Sequence, residues 1–67
     1  MKITILEHMG ENNCWEWYDI FKRTVATPKQ AIKKYLDEHM LDPEKIIQEG
    51  DTFYAEHTDV RAFEYTI

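Results

Sequence analysis

The stretch TPKQAIKKYLDEHML, residues 27–41, decides the fold, because it carries the clearest helix signals in the chain. Thr27 is a favourable N-cap, Pro28 suits the first helical position, and Gln30 stands three residues after Thr27, where a capping box needs it. Apolar residues recur at helical spacing and predict one buried stripe, made of Ile32, Tyr35, Leu36 and Met40. The sequence therefore predicts a single amphipathic helix.

The predicted helix ends at a proline. Asp42 precedes Pro43, and a residue before proline avoids helical backbone angles. The helix is then about 14 residues long and, at about 1.5 Å per residue, about 21 Å in length.

Two strands are predicted before the helix. Residues 2–8, KITILEH, are rich in β-branched residues, and residues 9–13, MGENN, have turn composition. A longer strand follows from Cys14 to about Thr24, antiparallel to the first. Period-two alternation then predicts one shared face for Trp15, Trp17, Asp19, Phe21 and Arg23, and the opposite face for Glu16, Tyr18, Ile20 and Lys22.

The segment after the helix predicts further strands. Residues 45–49, KIIQE, indicate a short further strand, and Gly50-Asp51 suits a two-residue hairpin turn. Residues 52–57 and 60–67 alternate in polarity on either side of Thr58-Asp59. We therefore predict one α+β domain, residues 1–67, in β-β-α-β-β order. Its antiparallel sheet has four to five strands, and the helix packs on one face.

The sheet is predicted to carry more large side chains than one helix is able to cover. An open sheet face is normally polar, yet apolar residues occupy both alternation rows of the second and last strands. Several aromatic residues should therefore lie uncovered, from the set Trp15, Trp17, Tyr18, Phe21, Phe53, Tyr54, Phe63 and Tyr65. Such a face is typical of a docking or dimer surface. The alternative is that strand twist and the chain ends wrap both rows into the core.

Charge is unevenly distributed along the chain, whose net charge is −5. Residues 1–36 carry a net charge of +2, and residues 37–67 carry −7. A concentrated negative potential disfavours nucleic acid and favours basic protein surfaces. An acidic surface also confers solubility, which is the alternative explanation.

Few residues indicate chemistry. The spacing of His8, Cys14, His39 and His57 matches no zinc pattern, although His8 and His57 would meet if their strands paired. Cys14 has no base near it in sequence, and the two glycines form no phosphate-binding loop. We therefore predict no catalytic residues, no metal and no cofactor, and hence no enzyme.

Location is predicted from composition. A lone Cys14 excludes an internal disulfide and suits a reducing compartment. The N-terminal residues 1–10 are too polar for a signal peptide, and no apolar run is long enough for a membrane span. We expect a cytoplasmic protein.

A basic cluster offers another interpretation. Five cations and no acidic residue occur between Lys22 and Lys34, namely Lys22, Arg23, Lys29, Lys33 and Lys34. With neighbouring aromatic residues, such a patch is able to bind phosphates and stack bases. The negative net charge and the absence of a known nucleic-acid-binding motif argue against it.

The passage VATPKQAIKKYLDEH, residues 25–39, together with the size and acidity of the chain, resembles small acidic α/β proteins of bacteriophages and mobile elements. Some of these, the anti-CRISPR proteins and DNA mimics, inhibit host nucleases by occupying nucleic-acid channels. The resemblance implies the cytoplasm of a phage-infected bacterium as the site of action. It transfers no functional residues.

Our prediction is a non-enzymatic protein that binds a basic surface of a protein partner, in the concrete case a host defence nuclease. The predicted contact residues are Trp15, Trp17, Tyr18, Glu49, Asp51, Tyr54, Glu56, Asp59 and Glu64. The alternatives are a self-associating homodimer that pairs aromatic faces, and a nucleic-acid binder that uses the basic cluster.

Overall fold

A computed structural model describes all 67 residues and confirms the α+β prediction. Its elements are β1 Lys2–Met9, β2 Trp15–Lys22, α1 Pro28–Glu38, β3 Ile46–Glu49, β4 Thr52–Ala55 and β5 Val60–Thr66, with a short 3₁₀ turn at Glu11–Asn13. The five strands form one antiparallel sheet in the order β2-β1-β5-β4-β3.

Strand β5 joins the two halves of the sheet. It pairs with β1 on one side and with β4 on the other, so the hairpins β1–β2 and β3–β4 meet only through it. The β3–β4 turn has the predicted form, with two residues and a positive φ of 60° at Gly50.

The helix begins as predicted. The Thr27 side chain accepts a hydrogen bond from the Gln30 backbone N–H, and the Gln30 side chain accepts one from the Thr27 N–H. The helix lies over β1, β4 and β5, and the core between these layers contains Leu6, Ala26, Ala31, Ile32, Tyr35, Leu36, Ala55, Val60 and Ala62. Thr4 is fully buried beside them, where its hydroxyl donates to the Ala26 carbonyl at 2.6 Å. With 11 residues, this one helix is too short to cross a membrane.

The helix end differs from the prediction. The prediction that Met40 belongs to the buried stripe is wrong, because α1 stops at Glu38 and the Met40 residue is 94% exposed. Met40 adopts a left-handed φ of 56°. Its N–H binds the Asp37 carbonyl, and the Leu41 N–H binds the Leu36 carbonyl, which is the Schellman pattern. The helix therefore ends through this motif before the chain reaches Pro43.

A β-bulge corrects the predicted alternation in β2. Leu6 pairs with Asp19 and Glu7 pairs with Trp17, so Tyr18 is an extra residue with no partner of its own. From Asp19 onward, the residues of β2 therefore point to the opposite face of the sheet from the one that simple alternation predicts. Tyr18 and Phe21 pack against the core below the helix, whereas the sequence prediction placed Phe21 with Trp17.

Candidate protein-binding surfaces

The sheet face opposite the helix is uncovered. Leu6 and Ala62 pack below α1, so the alternate residues of β1 and β5, and their cross-strand partners, point away from the helix. We call this row set the open face; it consists of Ile3, Ile5, Glu7, Met9, Trp15, Trp17, Ile20, Lys22, Ile47, Glu49, Thr52, Tyr54, Arg61, Phe63 and Tyr65. Most of these residues are apolar, as the sequence predicted for an uncovered face.

Several large side chains of the open face are exposed. The exposed fraction is 62% for Trp17, 54% for Tyr65, 44% for Ile20 and 38% for Ile47. Strand twist therefore does not wrap both rows into the core, and that alternative is wrong. Three aromatic residues of the sheet pack on the helix side instead, namely Tyr18, Phe21 and Phe53, and join Tyr35 of the helix there.

An ion pair lies at the centre of the open face. The Arg61 Nε donates to a Glu7 carboxylate oxygen at 2.7 Å, and both side chains are half-buried. The Arg61 guanidinium also lies over the Trp15 ring, 4.3 Å from its centroid. Trp15 is in edge contact with Tyr54, at 6.2 Å between ring centroids. The charges in the middle of the face are therefore neutralised within the protomer.

Carboxylates collect at one end of the sheet. Strand β1 ends there, β2 and β5 begin there, and α1 finishes above them. Eight of the 13 acidic residues lie in these segments: Glu11, Glu16, Asp37, Glu38, Asp42, Glu44, Glu56 and Asp59. Lys45 lies in the same segments, Arg61 follows at the start of β5, and Lys33 lines a hollow together with Asp37 and Glu44. We call this region the acidic end, and the helix C-terminus adds its negative dipole to it.

Glu44 organises the acidic end. Its carboxylate accepts hydrogen bonds from the His57 N–H at 2.6 Å, the Thr58 N–H at 2.9 Å and the Thr58 hydroxyl at 3.0 Å. Burial alone would raise the pKa of Glu44, but the hydrogen bonds from His57 and Thr58 outweigh it and hold the pKa below its ordinary value. The β4–β5 loop, which carries Glu56 and Asp59, is thereby fixed to the α1–β3 connection.

The structure divides the predicted contact residues among separate surfaces. Trp15, Trp17, Tyr54 and Glu49 lie on the open face, whereas Tyr18 faces the helix. Glu56 and Asp59 lie at the acidic end, and Asp51 lies in the β3–β4 turn at the opposite end.

Glu64 is engaged inside the protomer. Its carboxylate accepts from Arg23 at 2.6 Å and contacts Lys2 at 3.2 Å. Hydrogen bonds from Arg23 and then Lys2 hold the pKa of Glu64 below its ordinary value. This carboxylate is therefore committed to local ion pairs.

Sequence reasoning missed several residues of the two surfaces. Glu7, Ile20, Ile47 and Arg61 belong to the open face and were not predicted to lie there. Phe63 and Tyr65 were in the predicted set of uncovered aromatic residues but not among the predicted contact residues. At the acidic end, Glu11 and Asp42 had no local signal, since only the strand order brings their segments together.

The predicted basic cluster is split. Lys29 lies over the Phe53 ring on β4 at 5.8 Å, whereas Lys34 lies over the Phe21 ring on β2 at 5.1 Å. Strands β1 and β5 separate β2 from β4, so the two ammonium groups lie on opposite flanks of the helix. With Arg23 paired to Glu64, the cluster does not form one continuous patch.

The histidines do not gather into a metal site. His8 contacts the Tyr35 hydroxyl at 3.4 Å and the edge of Tyr18, and His39 stacks on Tyr35 at 4.0 Å. Burial, and secondarily the neighbouring Tyr18, raises the pKa of Tyr35. His57 is exposed in the β4–β5 loop, so the predicted encounter of His8 with His57 does not occur. No group of three or more His, Cys, Asp or Glu side chains is arranged so that it could hold a metal ion.

Comparison with known proteins gives no match: no family model, curated protein or solved structure is similar to this chain.

Proposed function

We propose that the protein is a non-enzymatic, cytoplasmic binding protein that attaches its acidic end to a basic surface of another protein. The observation that supports this proposal is that eight carboxylates, with the cations Lys33 and Lys45 beside them, lie at one end of the sheet in segments far apart in sequence. A field of this kind accelerates encounter with a basic partner and disfavours nucleic acid.

Apolar contacts are available within the same end. Met40 is 94% exposed and Leu41 is 41% exposed, and both lie just beyond the end of the helix, at the acidic end. Exposed apolar side chains surrounded by charge are typical of an interface whose affinity comes from a few central contacts. Met40 is the better candidate anchor, because the Schellman ending directs it away from the core.

A shallow hollow of about 320 Å³ lies beside these residues. Leu36, Leu41 and Pro43 supply apolar walls, Asp37 and Glu44 supply two carboxylates, and Lys33 supplies one cation. Such a lining suits an arginine or lysine side chain, which combines an apolar stem with a cationic head.

The concrete version is an inhibitor that occupies the nucleic-acid-binding surface of a host defence nuclease. The support for this version is electrostatic: a surface that neutralises phosphates is rich in Lys and Arg, and carboxylates arranged at a comparable density complement it. The paired cations Arg23 and Lys2 at the other end leave that end less polarised.

A matched pair of charge reversals tests the proposal. Asp59 and Asp51 are both exposed acids in hairpin connections, but only Asp59 lies at the acidic end. We expect immobilised wild type to retain a nucleic-acid-binding protein from bacterial lysate at low salt and to compete with duplex DNA for it. Asp59→Lys should weaken this competition about 10-fold and Glu38→Lys/Asp59→Lys should abolish it, while Asp51→Lys changes it less than about twofold.

Two results would overturn the proposal. One is that wild type and Glu38→Lys/Asp59→Lys compete equally well with duplex DNA, when circular dichroism shows that both proteins are folded. The other is equal weakening by Asp51→Lys and Asp59→Lys, which would show that net charge acts without any local site.

A further inference from the structure

We infer that the open face is covered by a second copy of this chain, which forms a face-to-face homodimer. This inference goes beyond the proposed function, because it uses the sheet surface and leaves the acidic end free. It starts from the exposure of Trp17, Tyr65, Ile20 and Ile47 on one continuous sheet surface.

The charge distribution of the open face is compatible with binding to a second, identical copy of the chain. The chain as a whole carries −5, yet this face holds two cations, Lys22 and Arg61, and two anions, Glu7 and Glu49. Glu7 and Arg61 neutralise each other at 2.7 Å. A neutral apolar surface has no electrostatic preference for a basic or an acidic partner, and two copies of it approach without net repulsion.

The remaining two charges are self-complementary. Lys22 and Glu49 lie on the two edge strands, β2 and β3, at the same end of the sheet, and neither forms an ion pair within the protomer. A two-fold axis that runs parallel to the strands, above the middle strand β5, places β2 of one copy over β3 of the other. The partner's Glu49 then lies over Ile20, two residues or about 6.6 Å along β2 from Lys22, and the long Lys22 side chain is able to reach it, twice in the dimer.

The same axis also matches apolar residues. Trp17 on β2 comes to lie over the partner's Ile47 on β3, and Phe63 and Tyr65 on β5 meet their own counterparts near the axis. Pairing of the most exposed ring with an exposed aliphatic side chain is the expected composition of an interface core.

The size of the face suits a weak dimer. Strands β1 and β2 have eight residues, β5 has seven, and β3 and β4 have four each. At about 3.3 Å per residue and about 4.8 Å between strands, each copy contributes roughly 500 Å² in projection, so the pair buries about 1,000 Å². This area is typical of weak or transient interfaces, so we expect a dimer that forms only at high protein concentration.

Both copies would direct their acidic ends to the same side. Rotation about an axis parallel to the strands does not change a residue's position along the strand direction, so the two acidic ends lie on the same side of the dimer. The two helix ends, which carry Asp37 and Glu38, are separated by both sheet layers, a distance well beyond the roughly 8 Å over which exposed charges interact at physiological salt, and this limits their repulsion.

Sedimentation velocity over a concentration series tests the inference. We expect wild type to pass from monomer to dimer, and Trp17→Glu to remain monomeric. Lys22→Glu and Glu49→Lys should each weaken the dimer about 10-fold, and Lys22→Glu/Glu49→Lys should restore it to within about threefold of wild type, because the swap recreates both ion pairs. Asp51→Lys, near Glu49 but off the open face, should leave the mass distribution unchanged.

Three outcomes would overturn the inference. A wild type that stays monomeric at about 1 mM protein would leave the face to another occupant. A Trp17→Glu variant that dimerises as wild type does would move the interface elsewhere. A charge-swapped double variant weaker than either single variant would refute the stated axis, and this holds even if Trp17→Glu fails to fold.

Discussion

The carboxylate of Glu44 accepts the backbone N–H of His57 at 2.6 Å across 13 residues of sequence. This bond, together with two more from Thr58, holds the β4–β5 loop against the segment that follows the helix. Two connections that form the acidic end are therefore fixed by one side chain.

We predict that Glu44→Gln destabilises the protein by about 1 kcal/mol at pH 7, because an amide accepts weaker hydrogen bonds than a carboxylate. The pKa of Glu44 is lowered on folding, so its stabilisation is complete above the ordinary value of 4.5 and is lost as pH falls through the lower folded pKa. The acid-induced loss of stability should be shallower in Glu44→Gln. Urea unfolding at neutral and acidic pH measures both effects, and parallel pH profiles for the two proteins would refute the assignment.

Met40→Gly should stabilise the protein by about 1 kcal/mol. Met40 occupies the left-handed position of the Schellman motif with φ of 56°, which glycine adopts without steric cost. Its side chain is 94% exposed, so little packing is lost. Met40→Ala is the control, because it removes the same side chain and keeps the strain. Thermal unfolding compares the variants at one protein concentration, since the proposed dimer would make the midpoint depend on concentration. Equal midpoints for the glycine and alanine variants would contradict this prediction.

Gly50→Ala should cost about 1 kcal/mol through the backbone alone. Gly50 has φ of 60°, and a Cβ atom there meets no other atom within 4 Å, so no clash contributes. Gly50→Asn should cost roughly half as much, because asparagine tolerates left-handed angles better than alanine. Chemical denaturation gives both values. If alanine and asparagine cost the same, backbone strain at this turn is not the cause.

Arg61→Met should destabilise the protein by about 1.5 kcal/mol. The substitution keeps an apolar stem but removes the guanidinium, which pairs with Glu7 and lies over Trp15. A double-mutant cycle with Glu7→Gln, monitored by tryptophan fluorescence in urea, should give a coupling of about 1 kcal/mol. Additive effects of the two substitutions would show that the ion pair contributes nothing to stability.

Local signals predicted the parts of the fold that depend on neighbours in sequence. The Thr27–Gln30 capping box and the Gly50 turn were both readable, because each needs a particular residue at a fixed spacing. The end of the helix was not, because no glycine marks the left-handed position at Met40. The Tyr18 bulge was equally hidden, since nothing in β2 indicates an unpaired residue.

Predictions about the surfaces depended on strand order. Glu64 looked like a free carboxylate in the sequence, but β5 lies beside β1, which brings Lys2 and Arg23 to it. Composition and alternation did predict that the sheet carries more aromatic residues than one helix is able to cover. The collection of carboxylates at one end was not, because it follows from which hairpins and connections meet.

The placement of β5 also sets an order for biosynthesis. Of the five strands, the one that bonds to both hairpins is the last to leave the ribosome. A nascent chain that has not yet reached Val60 holds two separate β-ribbons with unsatisfied inner edges. Completion of the native sheet must therefore wait until translation has delivered this strand, and premature termination before it yields fragments prone to aggregation.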